Sequence, residues 1–353
     1  MTLPHLPPFL VFFSFLLISC FIYIQFIKAV YNKQIKRRNP FFKYHLTGDI
    51  AMKRKKIMLI INPCAGRRSG QKKAKKILNL FDELGADCRI YMTKKRGDAT
   101  ELVIQDGSKY DIVSCMGGDG TLNEVINGIL KAGLDVPLGY IPAGSTNDFA
   151  RSMHLSKKTE EAVRTIVECG TTAIDAGLFN DRYFSYVASF GIFTRTSYST
   201  PQRVKNILGG KPSYLLHGVT ELWKIHSEHM VVETNGRTYE GDFLFGAVTN
   251  STSLGGVLQY DPALVDMSDG KLELMLIHKP KNAGQLFSVI KSLLTKKITG
   301  NPCIVFDRSD RFTLHPSAPS DWSLDGEFAY TAGTCDIRCF PLKINFICPQ
   351  NYK

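Results

Sequence analysis

The stretch MGGDGTLNEVINGI, residues 116–129, sets Gly117, Gly118 and Gly120 around one carboxylate, Asp119, and runs straight into an amphipathic pattern. Glycine held in regular structure costs roughly 0.5–1 kcal/mol. Such a cluster therefore implies a tight turn or a close approach of backbone to a ligand. Two further small-residue stretches, NPCAGRRSG (62–70) and IPAGSTND (141–148), share the pattern. Where a loop of this kind leads into a helix, its free N–H groups and the helix dipole can cradle anionic oxygens. A carboxylate among such amides makes sense if a cation or a proton transfer needs it; the alternative for Asp119 is a turn-forming aspartate. Thr121 and Glu124 match T-x-x-E, so Glu124 also reads as a helix cap. The first stretch holds no G-x-x-x-x-G-K-[ST] motif.

The surrounding elements place these loops. KKIMLIINP (55–63) reads as a buried strand ended by Asn-Pro. Ile77, Leu80, Phe81 and Leu84 stand at helical spacing before Gly85. DCRIYMT, DATELVIQDG and DIVSCMGG follow as strand, helix and strand. Leu122, Val125, Ile126, Ile129 and Leu130 then share a helical face, and VPLGYIPAG reads as the next strand. The alternation predicts a mostly parallel α/β sheet with helices on both faces, and all three glycine-rich stretches fall at carboxyl ends of its strands, where such sheets bind ligands. From Thr171 onward, short alternating runs between Gly, Asn-Gly and Asp-Gly turns predict a β-rich second domain, with TNGRT as a hairpin. A helical insert, residues 208–226, carries Leu215, Leu216, Val219, Leu222 and Trp223. Those side chains read as core, or as a face toward an acyl chain.

With 353 residues the chain is long enough for two such domains. Nine scattered cysteines without a C-x-x-C pair read as reduced thiols rather than a disulfide framework or a zinc site. The net charge of +12 is concentrated: residues 28–76 hold 16 Lys and Arg against Asp49 alone. This block follows FLVFFSFLLISCFIYIQFI, Phe9–Ile27, an uncharged run of 19 residues. As a helix it would span about 28 Å, near the ~30 Å hydrocarbon core of a bilayer. Basic residues after the run predict a single-pass N-terminal anchor with a cytoplasmic body, and turn the basic excess toward an anionic membrane surface rather than nucleic acid. The expected layout is an anchor (1–30), a basic juxtamembrane linker (31–54), an α/β nucleotide-binding domain (55–158) and a β-rich domain (159–348), its end free to return to the first.

NPCAGRRSG, GGDGTLNEVINGI and PAGSTNDFARS resemble the motifs of the diacylglycerol kinase catalytic domain family, in its bacterial soluble-type lipid kinase branch. YFSYVASFGI, GAVTNSTSLGGV, DMSDGKLELMLI and WSLDGE extend the likeness across residues 55–348. GGDGT alone is shared with NAD kinases and phosphofructokinases; the later motifs are not. The resemblance implies the two-domain fold of NAD kinases and diacylglycerol kinases, a parallel α/β nucleotide-binding domain plus a β-rich second domain with the active site in their cleft. Here one transmembrane helix would precede it.

It also implies an ATP- and Mg²⁺-dependent transfer to a lipid hydroxyl, diacylglycerol to phosphatidic acid. The alternatives are a kinase of another lipid alcohol (a sphingoid base, phosphatidylglycerol or a polyprenol) and a catalytically dead nucleotide or lipid sensor. By resemblance, ATP contacts fall on Asn62, Pro63, Cys64, Ala65, Gly66 and Thr93, on Gly118, Asp119, Gly120, Thr121, Leu122, Asn123 and Glu124, and on Ser145, where relatives more often have Thr. Asp119, supported by Asp148, would hold the catalytic magnesium. Asp266, Asp269 and the carbonyl of Lys271 would hold a structural one. Glu327 would be the general base. Phe193 and Thr194 depart from the G-F-D-A pattern that family members usually show. A membrane lipid is the implied partner, and a homodimer is left open.

Overall fold

An apolar run without alternation needs cover on both faces, and Lys55–Ile61 (β1) finds it. Its burial rises from two exposed lysines to five fully buried residues. Met58 and Ile60 face one core with Val125, Ile126 and Ile129. Ile57, Leu59 and Ile61 face the other with Ile77, Phe81, Val163 and Ile166. The computed structural model describes residues 54–65, 70–192, 227–255 and 258–349.

β1 is flanked in parallel by Ala86–Met92 (β2) and Ile112–Gly117 (β3), and β3 by Leu138–Pro142 (β4). The connections are helices Gly70–Glu83 (α1), Asp98–Asp106 (α2) and Asp119–Lys131 (α3). Asp148–Ser152 (α4) and Thr159–Glu168 (α5) follow β4. Helices cover both faces of a parallel sheet, as the alternation of elements in the sequence demands.

The later half is β-rich. Thr171–Phe179 (β5), Arg182–Phe184 (β6) and Val187–Gly191 (β7) lead to Glu228–Thr234 (β8) and Arg237–Thr249 (β9). The β8–β9 hairpin closes through Asn235 (φ 47°) and Gly236 (φ 73°), the two left-handed residues that a tight hairpin turn requires. Two short strands, Ser253–Leu254 (β10) and Leu258–Gln259 (β11), precede Leu272–His278 (β12). Ala283–Thr295 (α6) then leads into Ile304–Ser309 (β13), Arg311–Pro316 (β14), Ser320–Leu324 (β15), Glu327–Thr331 (β16) and Cys335–Ile347 (β17). Trp322 is fully buried between Phe179 and Phe190, at centroid distances of 4.8 and 4.9 Å.

β17 joins the halves. It runs antiparallel to β5 along most of its length and meets β4 in parallel through Phe346 opposite Leu138. One mixed sheet therefore runs from the α/β half into the β-rich half.

Among the described residues no helix is long and apolar enough to cross a membrane. The anchor expected at 9–27 lies outside the described residues, together with the linker up to residue 53 and the 208–226 insert. The expected membrane-spanning architecture, and the single-pass membrane location it carried, are thus corrected to an α/β and β-rich body in which no described helix spans.

Candidate active site

β1, β3 and β4 end side by side, and the loops that follow them knit together. Asn62 N donates to Met116 O (3.0 Å) and Ala143 N to Gly117 O (2.7 Å). Asn62 Nδ2 donates to Thr121 Oγ1 (3.2 Å), while its Oδ1 accepts from Cys64 N (2.9 Å). The glycines serve close backbone approach: a Cβ on Gly144 would stand 2.5 Å from Gly118 Cα. Any side chain there would pry the two loops apart. Asn147, left-handed at φ 51°, bonds Gly144 through both side-chain atoms at 2.9 Å and closes the third loop.

The loops open onto a cavity of about 490 Å³. Of the residues expected to touch ATP, Asn62, Pro63, Cys64, Thr93, Gly120, Thr121 and Glu124 line it, and so does Glu327 from β16. Lys94, Lys95 and Arg96 complete the wall, three cations that the sequence reading passed over. Ala65 N donates to Asn62 O (3.2 Å) and tightens the first loop. Leu122 and Asn123 lie on the buried side of α3, the former in the core and the latter accepting from Asn127 Nδ2 (2.9 Å). Ser145 is exposed outside this wall, and Gly66 lies outside the described residues.

Glu124 does not cap its own helix. α3 begins at Asp119 with Gly118 as its N-cap. The Glu124 carboxylate instead accepts from Gly97 N (3.0 Å), the N-cap of α2, and from Ala99 N (3.2 Å) in its first turn. The T-x-x-E capping box is corrected to a cap between neighbouring helices. Burial pushes the Glu124 carboxyl above its ordinary range against the pull of these two amides, and the charge on Glu327 adds to the rise.

Asp119 heads α3 and is 6% exposed. Its carboxylate accepts from Asp148 N (3.0 Å), Phe149 N (3.2 Å) and Thr146 Oγ1 (3.2 Å). The hydroxyl that reaches it belongs to Thr146, not to its neighbour Ser145. Asp148 is fully buried, and its Oδ1 accepts from Ser253 Oγ (2.6 Å). Burial pushes Asp119 up, and the nearby Asp148 charge adds to it, while the three donors pull it back. Among the described residues no three His, Cys, Asp or Glu side chains converge on one point. Magnesium is commonly held by one or two carboxylates plus substrate phosphates. Two interacting carboxylates, buried beneath the loops after β3 and β4, fit that requirement.

Glu327 comes from the other half of the chain. Its carboxylate lies 2.6 Å from the Arg96 guanidinium and 3.7 Å from that of Arg182. The preceding turn holds it in place. Asp325 is left-handed (φ 52°), and its buried carboxylate accepts from the amides of Ser185 (2.5 Å), Tyr186 (3.0 Å) and Val187 (2.9 Å) and from Ser185 Oγ (2.7 Å). The DGE motif thus divides its labour: Asp325 clamps the loop that enters β7, and Gly326 (φ 85°) turns the chain so that Glu327 enters the cavity. Small-residue loops at strand ends, paired buried acids and a carboxylate beside an arginine are the parts that phosphoryl transfer requires.

Residues 56–179 match the diacylglycerol kinase catalytic domain, and residues 189–348 match the YegS C-terminal NAD kinase beta sandwich-like domain. A diacylglycerol kinase of Bacillus subtilis (strain 168) is 30% identical over 276 residues, 78% of this chain and 90% of the relative. One from Staphylococcus aureus (strain bovine RF122 / ET3-1) is 29% identical over 78% of this chain and 87% of its own. The chain belongs to the diacylglycerol kinase family. With that family it is a lipid kinase, and the family's chemistry uses ATP. The fold agrees: the crystal structure of a diacylglycerol kinase from Bacillus anthracis str. Sterne superposes with a TM-score of 0.66 at 22% identity, over 86% of this chain and all of that one. A further structure from the same organism gives 0.70 at 25% identity with the same coverage.

The turn expected to hold a structural magnesium is paired in part with an arginine. Asp266 Oδ1 accepts from Ser268 N (3.0 Å), and Asp269 Oδ1 from Lys271 N (3.1 Å). The other Asp269 oxygen is bound by the Arg308 guanidinium, which also lies 3.3 Å from Glu273 Oε1. Arg308 and Glu273 are directly opposite on β13 and β12. One of the Asp269 oxygens expected to meet a structural magnesium is therefore paired with a guanidinium. Phe193 and Thr194, the departure from the family pattern, lie outside the described residues.

Proposed function

We propose that this kinase transfers the γ-phosphoryl group of ATP to the primary hydroxyl of diacylglycerol and releases phosphatidic acid and ADP. The supporting observation is the meeting of Glu327 with the Asn62–Cys64 and Gly120–Thr121 loops around one cavity. The loop amides and the N-terminus of α3 receive the phosphates. Glu327 takes the proton of the acceptor hydroxyl, whose oxygen bonds to the γ-phosphorus as the bond to the β–γ bridging oxygen breaks. Arg96, 2.6 Å from Glu327, offers a positive charge beside the group in flight. Asp119, with Asp148 beside it, would hold Mg²⁺, which neutralises phosphate charge when bound.

A decayed, purely sensing protein would have no need to keep both Asp119 and Glu327 in place. The other acceptors to weigh against diacylglycerol are a sphingoid base, phosphatidylglycerol and a polyprenol. Turnover of labelled ATP over these four in identical mixed micelles decides among them. Diacylglycerol should give the highest kcat/KM. A rival exceeding it by about tenfold, roughly 1.4 kcal/mol of transition-state preference, would replace the substrate and leave the reaction class standing.

A further inference from the structure

The TNSTS stretch, residues 249–253, is polar at every position and carries the chain from β9 into β10. Connecting segments usually run over the surface, where water meets their polar groups. Here Thr249, Asn250, Ser251 and Ser253 are fully buried, so those groups must find partners inside the protein. One end of the stretch finds them at the paired acids. Ser253 Oγ donates to Asp148 Oδ1 (2.6 Å), and Asp148 N donates to Asp119 Oδ2 (3.0 Å). The donors to Asp119 come from Thr146, Asp148 and Phe149, just after β4, whereas Ser253 reaches Asp148 from 105 positions away. The other end finds them near the base. Thr249 Oγ1 (2.6 Å) and Asn250 N (2.9 Å) both donate to Tyr186 O. Tyr186 N donates in turn to Asp325 Oδ1, on the carboxylate that holds the turn presenting Glu327. Between the ends, Ser251 Oγ accepts from Ser253 N (3.1 Å) and lies 2.8 Å from Ser152 Oγ of α4. Five consecutive residues therefore connect the acids beneath the loops after β3 and β4 to the turn that carries Glu327.

We propose that Ser253 is a positioning residue of the transfer reaction. Its hydroxyl fixes the orientation of the buried Asp148 carboxylate, and residues 249–253 keep that carboxylate in register with the turn presenting Glu327. The inference deepens the kinase reading and rests on one part of it, the assignment of Asp119 and Asp148 as the pair that would hold Mg²⁺. A carboxylate turns about its Cβ–Cγ bond and can aim its oxygens in many directions; a hydrogen bond from a buried, fixed donor selects one of them. Groups that orient metal-holding side chains typically matter by about 10–100-fold in metal affinity or activity. Ser253 acts through Asp148, so its removal should be felt in the metal requirement.

The test measures binding of β,γ-imido-ATP to the full chain by titration calorimetry over a series of Mg²⁺ concentrations. No lipid is present, so the outcome is independent of which acceptor is phosphorylated. Ser253→Ala should raise the Mg²⁺ needed for half-maximal binding by about 10–100-fold and leave binding in EDTA unchanged. Ser253→Cys, a weaker donor of similar size, should fall between Ser253→Ala and wild type. In an Asp148→Ala background, Ser253→Ala should add nothing further, because the group it acts through is gone. A requirement within about twofold of wild type, in Ser253→Ala protein that melts cooperatively, overturns the proposal. If that variant does not melt cooperatively, the same comparison is read from Ser253→Cys. An equal effect of Ser253→Ala with and without the Asp148 carboxylate also overturns it, since the role would then be structural alone. An Asp148→Ala variant with an unchanged requirement would remove the magnesium assignment and the proposal with it. A failed acceptor panel with the magnesium shift intact would replace the substrate and keep Ser253 in its role.

Discussion

Arg96 and Glu327, 231 positions apart in the chain, meet at 2.6 Å across the cavity mouth. The hydrogen bond to Glu327 raises the hold of Arg96 on its proton, and the Glu124 charge adds to that. The arginine is more than half exposed, so it can leave the carboxylate when phosphates enter. Arg96→Ala is expected to lower kcat/KM for ATP by about ten- to a hundredfold, about 1.4–2.8 kcal/mol, with Arg96→Lys recovering part of it. Steady-state kinetics with varied ATP check this. An unchanged kcat/KM would remove Arg96 from the phosphate site.

Glu124 supports α2 from outside it. Replacing the carboxylate by Ala leaves the amides of Gly97 and Ala99 without their acceptor, a loss of about 1–2 kcal/mol by analogy with helix caps. Thermal unfolding of Glu124→Ala should show a Tm lower by a few degrees. A Tm equal to that of wild type would show that the cap contributes nothing.

These two contacts mark what the sequence could and could not tell. β1, β3 and β4 were legible because doubly covered strands are written as apolar runs, and the β8–β9 hairpin because Asn235-Gly236 is a local turn signal. The convergence of the three glycine-rich loops followed from parallel connectivity alone. The local capping box at Glu124 fails because its spacing to Thr121 imitates that motif, while its partners lie 25 and 27 residues upstream. Arg308 carries no local sign of its pairing, since only the β12–β13 register brings it to Glu273. Asp325 lay within a recognised motif, but its role depends on a loop 138–140 residues earlier.

Asp325 should couple stability to pH. Burial pushes its carboxyl from 3.8 up to about 6, against the pull of its four donors. A raised carboxyl pKa means that the folded state holds the proton more tightly than the unfolded chain. The stabilisation is therefore complete below about pH 4 and is lost as pH rises to about 6, at most ~3 kcal/mol by linkage. The Tm difference between wild type and Asp325→Asn should change across pH 4–6 and stay level above it. A difference that is flat throughout that window would contradict the shift. The same variant should lose kcat, because the turn that presents Glu327 is loosened.

Arg308 is expected to act as the built-in cation of the 266–271 turn. Arg308→Leu leaves Asp269 without its guanidinium and Glu273, which is fully buried, without its counter-charge, a change of about 3–5 kcal/mol for a broken buried pair. Adding Glu273→Leu should restore most of that loss. Thermal unfolding of the single and double variants provides the check. Magnesium should raise the Tm of wild type no more than that of Asp269→Ala. A larger response in wild type would show that a metal does bind at this turn.

Glu327, carried into the cavity by the Asp325–Gly326 turn, is the group proposed to take the proton from a lipid hydroxyl. The most direct measurement of that role is the kcat of Glu327→Gln with diacylglycerol in mixed micelles at saturating ATP. A fall of about 10²–10⁴-fold is expected with the KM for ATP little changed, because the phosphates are proposed to lie against the loops after β1 and β3 and not against Glu327. A kcat within about threefold of wild type, in a variant that melts at the wild-type temperature, would contradict the assignment of Glu327 as the base.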